Sequence, residues 1–361
     1  MSLIKVKSRG TDNVSGRRNL IINGAMQVAQ RGTSATGVTN NGSHFLLDRF
    51  KTVINNAYTS TIQQVADVPD GEGFKYSLKH TFTTANSSPS SGDYNVLDQN
   101  IEKQNIYSTE NGTSSAKSIT LSFFVKSSVT GTFAVALQNY GSSRRSNVLS
   151  YTISSANTWE KKVITTTADP SANTNSANGA GLGLRFALGS GSNYEASNAT
   201  TGWQTADYFG FNGATYPAGT TNATWQITGV QLEVGDSASD FEHRSFGEEL
   251  QLCKRYFHTY GGTNAFEHLP FLGQGNSSSI NFNHELPVEM RATPTLTQSG
   301  SWRVNDGYLG AYYTLSSVSL DNLSTKLIRG SATTSSAIGG DIGRIIAYND
   351  INARWSYSAE L

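Results

Sequence analysis

The sequence of 361 residues lacks several things that would point to common functions. It has one cysteine, Cys253, which excludes an intrachain disulfide framework and a cysteine-rich zinc site. Neither sign of charge dominates: Lys+Arg and Asp+Glu number 27 each, a formal net charge of zero. Nucleic-acid binding needs a basic footprint, so this balance argues against it. Charged residues are 15% of the chain, against roughly 25% in an ordinary soluble domain. No apolar run is long enough for a membrane-spanning helix, so no membrane insertion is expected. Residues 1–7 (MSLIKVK) are too polar and too short to read as a signal peptide. No G-x-S-x-G, H-E-x-x-H or P-loop motif occurs, and no internal repeat recurs.

What is present is polar through hydroxyls and amides rather than charges. The chain holds 46 Ser, 38 Thr, 30 Asn and 35 Gly, together 149 residues. A hydrophobic content of 37%, with 10% aromatics, is too high for a disordered chain. The length suggests two or three domains and suffices for a core without staples.

Residues 19–245 read as short strands between polar turns. Residues 118–126 (SITLSFFVK) place Ile119, Leu121, Phe123 and Val125 on one face. Residues 132–138, 159–165, 182–188 and 224–234 continue the two-residue period of half-buried strands. In the last of these the apolar phase slips at Gly229, which predicts a β-bulge. Ser245 and Glu248 have capping-box spacing, followed by Leu250, Cys253 and Phe257 at helical spacing, with Gly261-Gly262 as the stop. Residues 261–361 offer seven more short strands. The expected fold is all-β: an N-terminal jelly-roll sandwich, a short connecting helix and a small C-terminal β-sandwich. The expected limits are an arm over 1–18, the jelly roll over 19–245, the helix over 246–260 and the tip over 261–361.

Several segments resemble phage virion fibre proteins that carry a carbohydrate-binding-module-like jelly roll. They are residues 19–27 (NLIINGAMQ) with 30–33 (QRGT), 47–50 (LDRF), 99–102 (QNIE), and 119–125 with 131–133 (GTF). The strongest are 227–235 (ITGVQLEVG), 241–250 (FEHRSFGEEL) and 253–257 (CKRYF). Residues 287–295 (PVEMRATPT) and the ending 359–361 (AEL) resemble the C-terminal tip of such proteins. The resemblance implies a tail or virion fibre protein, trimeric, attached to other virion proteins by the N-terminal arm. It also implies recognition of a host cell-surface polysaccharide without catalysis. A structural decoration or fibre adaptor, and a polysaccharide depolymerase, are the alternatives, although the long β-helix repeats expected of the latter are missing. Where many such jelly rolls carry an acidic calcium ligand, this chain has Gln27. No cofactor or metal is therefore expected; a calcium site would need other oxygen ligands, such as Asp48 or Glu233.

Individual residues have a packing reading beside each functional one. Trp159 and Trp225 sit in alternating strands and are expected in the core. Trp203, Tyr208 and Tyr216 lie in a turn-rich segment and are candidates to stack on sugar rings, or else to pack the end of the sandwich. Leu250, Tyr256 and Phe257 are candidates for contacts around a threefold axis, or else helix-to-core anchors. His243, His258, His268 and His284 cluster in sequence, but their spacing fits no zinc pattern. Asp93, Asp98, Glu102 and Glu110 are the nearest thing to paired carboxylates for glycoside hydrolysis, and solvated turn residues are the plainer reading.

Overall fold

A computed structural model describes residues 18–39, 42–56, 58–141, 143–172, 177–199, 202–276, 278–306, 311–335 and 342–361. Of the expected attachment arm, only Arg18 lies within the described residues. The chain divides into two compact units, Met1–Arg244 and Ser245–Leu361. Both are built of strands, with a single α-helix among the described residues.

The first unit runs through β1 (Ser34–Val38), β2 (Gly42–His44), β3 (Lys51–Asn55), β4 (Thr59–Val65), β5 (Ser77–Thr84), β6 (Tyr94–Glu102) and β7 (Ser118–Ser127). It continues with β8 (Gly131–Asn139), β9 (Arg145–Ile153), β10 (Glu160–Thr167), β11 (Ala180–Ser190), β12 (Glu195–Ala196), β13 (Gly210–Phe211) and β14 (Thr224–Val234). Two six-stranded antiparallel sheets face each other, in the orders β1-β4-β5-β14-β7-β10 and β2-β3-β6-β11-β8-β9. The chain crosses repeatedly between them, which is a jelly-roll sandwich. Their inner faces bury Phe82, Phe123, Phe133, Phe186 and Trp225 in one core.

The edge strand β10 shows the clean alternation of a half-buried strand, whereas β7 and β14 are buried along almost their whole length. Loops roof the outer faces of both sheets. Residues 202–216 lay Phe209 and Phe211 over Val96, Ala134, Ala136 and Val148 on the second sheet. On the first sheet, Phe74 and Ala25 cover Phe124.

The phase slip at Gly229 is a bulge: the β14–β7 register jumps between Thr228 and Gln231. Gly229 has φ 62°, and a Cβ there would meet Phe74 at 2.6 Å and Phe124 at 3.0 Å. The bulge therefore makes room for Phe74 to dock. It also turns Val230 towards Gly24, whose carbonyl accepts from the Val230 amide at 3.0 Å.

The second unit begins with α1 (Phe246–Lys254), then β15 (Phe257–Tyr260), β16 (His268–Asn276), β17 (Ser279–Glu285), β18 (Thr295–Ser299) and β19 (Trp302–Asp306). It ends with β20 (Tyr312–Leu323), β21 (Leu327–Thr334), β22 (Ile342–Ala347) and β23 (Arg354–Ser358). Six strands close into a barrel in the order β16-β17-β21-β20-β19-β22, and β15-β23-β18 form a separate sheet. The two layers expected of a small sandwich are thus supplied partly by one sheet curled on itself.

Two sequence expectations need correction here. The helix does not reach residue 260. It ends at Lys254, and Phe257–Tyr260 pairs with β23 instead, because aromatic and β-branched residues lose less in a strand. The helix also belongs to the second unit. Strand β16 holds Pro270, Gly273 and Gly275, residue types that ordinarily interrupt a strand. Pro270 falls where the β16–β22 register shifts between His268 and Leu272. At Gly273 a Cβ would lie 1.6 Å from Ile280 Cγ2, so only glycine lets the strand close on β17.

Candidate functional site

An open depression of about 450 Å³ lies on the first unit. It is lined by Val68, Pro69, Asp70, Glu72, Phe124, Asn157, Thr158 and Trp159. Its floor is Phe124, on the outward face of β7. One wall is the loop before β5, the other the turn between β9 and β10.

Each wall is fixed by local chemistry. Asp70-Gly71-Glu72-Gly73 turns on two glycines with φ of 75° and 77°. Phe74 then anchors the loop, packing edge-on against Phe124 at 5.5 Å and Phe241 at 5.0 Å. His243 packs on Phe74, and its Nε2 lies 3.0 Å from the Glu72 carbonyl oxygen. In the facing turn, Asn157 takes φ 57°, a conformation asparagine tolerates, and its amide donates to the Ser127 carbonyl at 2.7 Å.

Trp159 is not in the core, contrary to the alternation reading. It immediately precedes β10, is half-buried, and lines the depression. Its Nε1 donates to Asp67 Oδ1 at 3.1 Å, and the Lys126 ammonium lies 5.2 Å from the centroid of one of its rings. Lys126 also bonds Asp67. Partial burial would raise the Asp67 carboxyl, but donation from Lys126 and Trp159 prevails and holds it below its ordinary value. Asp67 is thus an ionised clamp on the indole. The Asp70 and Glu72 side chains are exposed on the rim.

An apolar floor, an orientated indole, two carboxylates, an amide and a hydroxyl suit a polyhydroxylated ring. The indole and Phe124 can cover C–H faces, while the rim groups accept from and donate to hydroxyls. A smaller depression of about 120 Å³ lies beside the exposed Tyr107.

The aromatic candidates named from sequence lie elsewhere. Trp203 is half-buried against the main core and donates through Nε1 to the Thr167 carbonyl at 2.8 Å. Tyr208 and Tyr216 pack on the outer face of the second sheet. Tyr216 also bonds Glu195, whose carboxyl is raised by burial against that bond's opposing pull. These contacts account for the three rings without a ligand. Leu250 is half-buried on α1, whereas Tyr256 and Phe257 are buried inside the second unit, and Trp225 is fully buried in the first. The carboxylates near β6 are engaged: Asp98 accepts two bonds of 2.7 Å from Arg185, Glu102 accepts from Gln104 at 2.6 Å, and Asp93 accepts from the Ser90 amide at 2.8 Å.

The possible calcium ligands are also engaged. Asp48 accepts from the Gln30 amide and side chain and lies 3.6 Å from Arg31. Glu233 accepts from Gln231 and Ser239. Carboxylates surrounded by protein donors and a guanidinium do not suit a cation. Among the described residues, no group of three or more His, Cys, Asp or Glu could hold a metal ion.

No family model matches the sequence, and no curated protein matches it. Similar solved structures exist at low identity. The enzymatically active domain of tailspike protein 4 from bacteriophage CBA120 is 14% identical, with a TM-score of 0.32, over 60% of this chain and 21% of that chain. The family 11 carbohydrate-binding module from Clostridium thermocellum, in complex with a β-1,3-1,4-mixed-linked tetrasaccharide, is 8% identical, with a TM-score of 0.28, over 58% of this chain and all of that one. TmCBM61, in complex with β-1,4-galactotriose, is 10% identical, with a TM-score of 0.29, over 61% of this chain and all of that one. Likeness at this level leaves function to be argued from the side chains.

Proposed function

We propose that this protein is a virion fibre component that binds a host-surface glycan without catalysis. It acts as a homotrimer attached to other virion proteins through residues 1–18. The observation that carries the binding role is Trp159, held by Asp67 and Lys126 at an open depression rimmed by Asp70, Glu72, Asn157 and Thr158. The virion role rests on the sequence resemblance at residues 19–33 and 227–257. The absence of catalysis is supported by the engagement of Asp93, Asp98 and Glu102 in hydrogen bonds. A shallow site of this kind binds weakly, and several copies on one particle supply avidity.

A host-polysaccharide array probed with the intact oligomer tests the reading. Binding should fall about tenfold in Trp159→Ala, the loss expected of one sugar-stacking ring, and be largely kept in Trp159→Phe. Trp203→Ala should leave it unchanged. If no host-derived polysaccharide binds, the reading fails in favour of a purely structural decoration. Release of reducing ends from host capsule or lipopolysaccharide would overturn the non-catalytic part, and a monomer by light scattering would overturn the trimer.

A further inference from the structure

The second unit carries an outward face whose chemistry differs from the Trp159 depression. Strand β19 sends Trp302 and Val304 into the barrel core, so Arg303 and Asn305 point outward. Arg303 pairs across β22 with Ile346, and Asn305 with Arg344, which places both guanidinium groups on one face. Arg303 is stacked on Tyr348, with Cζ 3.6 Å from the ring centroid. Tyr348 in turn meets Tyr312 at 5.3 Å and Phe266 at 5.7 Å. Phe266 and Tyr312 remain 49% and 46% exposed, although both are large and apolar. Rings left in water around a guanidinium are the unusual feature here.

No carboxylate among the described residues neutralises this face. Asp350 is taken by the Ser301 and Asn352 amides, and Glu267 by Gly261 and Thr263. Neither Arg303 nor Arg344 has an acidic partner among the described residues. The surrounding unit is not basic: residues 245–361 contain eight Lys or Arg and ten Asp or Glu. The cationic patch is therefore local, sized for a discrete anionic group, and the unit lacks the broad basic footprint of a nucleic-acid binder. Planar guanidinium forks match carboxylate or phosphate oxygens, and exposed aromatic faces match the C–H face of a sugar ring.

We propose that the face around Arg303, Arg344 and Tyr348 is a second glycan site, selective for an acidic polysaccharide bearing carboxylate or phosphate. It is independent of the Trp159 depression.

Binding of the full-length protein to four probes tests this: polygalacturonate, the same polymer with its carboxyls reduced, a poly(glycerol phosphate) teichoic acid, and a single-stranded DNA oligonucleotide. Polygalacturonate, teichoic acid or both should bind, and the reduced polymer should not. Comparison of the first and third probes identifies the anion. Arg303→Gln and Arg344→Gln should each weaken binding roughly tenfold, the loss of one charge-assisted contact, and Trp159→Ala should leave it unchanged. Arg303 packs on Tyr348, so Arg344→Gln, at an exposed position, is the variant that separates binding from folding, with melting temperature as the control. The proposal fails if neither acidic polymer binds, if Arg344→Gln binds as tightly as the parent, or if the oligonucleotide binds as well as the acidic polysaccharides.

Discussion

Asn19 ties three backbone groups with one amide. Its Nδ2 donates to the Val230 carbonyl at 3.0 Å, while Oδ1 accepts from the Ile21 and Leu232 amides at 2.9 and 3.1 Å. It stitches the first described segment to β14 where no ladder continues. Asn19→Ala would strand those groups in a buried position, so the first unit should lose about 3 kcal/mol, read as a lower urea midpoint at constant slope. The neighbouring Gly24 has no room for a side chain, because a Cβ would lie 2.1 Å from the Val230 oxygen. Gly24→Ala should cost about 2 kcal/mol in the same assay, with the shift confined to first-unit probes such as Trp225. The 241–244 segment works similarly. Glu242 accepts from the Asn19 amide at 2.8 Å and Arg244 donates to the Asn19 and Ile21 carbonyls, while Phe241 and His243 hold Phe74. These motifs were legible as a pattern, but their work was not, since each acts on residues about 170 to more than 200 positions away.

At the scale of elements, local signals were reliable where local chemistry decides. The Ser245–Glu248 capping box forms as spaced, with Ser245 Oγ accepting from the Glu248 amide and the Glu248 carboxylate accepting from the Ser245 amide. Ser245→Ala should destabilise the second unit by about 1 kcal/mol, seen as a lower melting temperature of that unit alone. The bulge at Gly229 was visible because an apolar phase cannot slip without one. The end of α1 was not visible, because Phe257–Tyr260 satisfies both a helical stripe and a strand. Its partner strand β23, about 100 residues later, makes the choice. The placement of Trp159 turns on phase: Trp159 and Val163 read as an apolar inner face, whereas in β10 Lys161, Val163 and Thr165 are the exposed positions, so Trp159 falls on the outer face with Lys161, which pairs with Phe124.

At the scale of the whole molecule, each described core cluster draws on one unit only. Histidines give both units the same response to acid. Burial lowers His80 to about 3 in the first unit. In the second, burial lowers His258 to about 4, aided by Lys254 and His284, and burial alone lowers His284 to about 4. The unfolded chain binds these protons near pH 6.5 and the folded chain only below about 4, so stability is full above pH 6.5 and falls as pH drops towards 4. The loss should be on the order of 3 kcal/mol per histidine in the second unit, and His284→Leu should flatten the slope of melting temperature against pH between 6.5 and 4. A flat profile in the parent protein would contradict the assignment.

The all-β class, the capped helix, the bulge and the division near residue 245 follow from composition, period and spacing, because these are set by neighbours a few positions apart. Closure of β16–β22 into a barrel depends on a glycine facing Ile280, and the depression beside Trp159 on Phe74 reaching Phe124 across the bulge. The face around Arg303 exists only because β19 lies between β20 and β22. Sequence spacing carries no record of such meetings. Charge balance read over the whole chain likewise averages to zero, while the fold gathers two arginines and three rings on one face and two carboxylates with an indole at another.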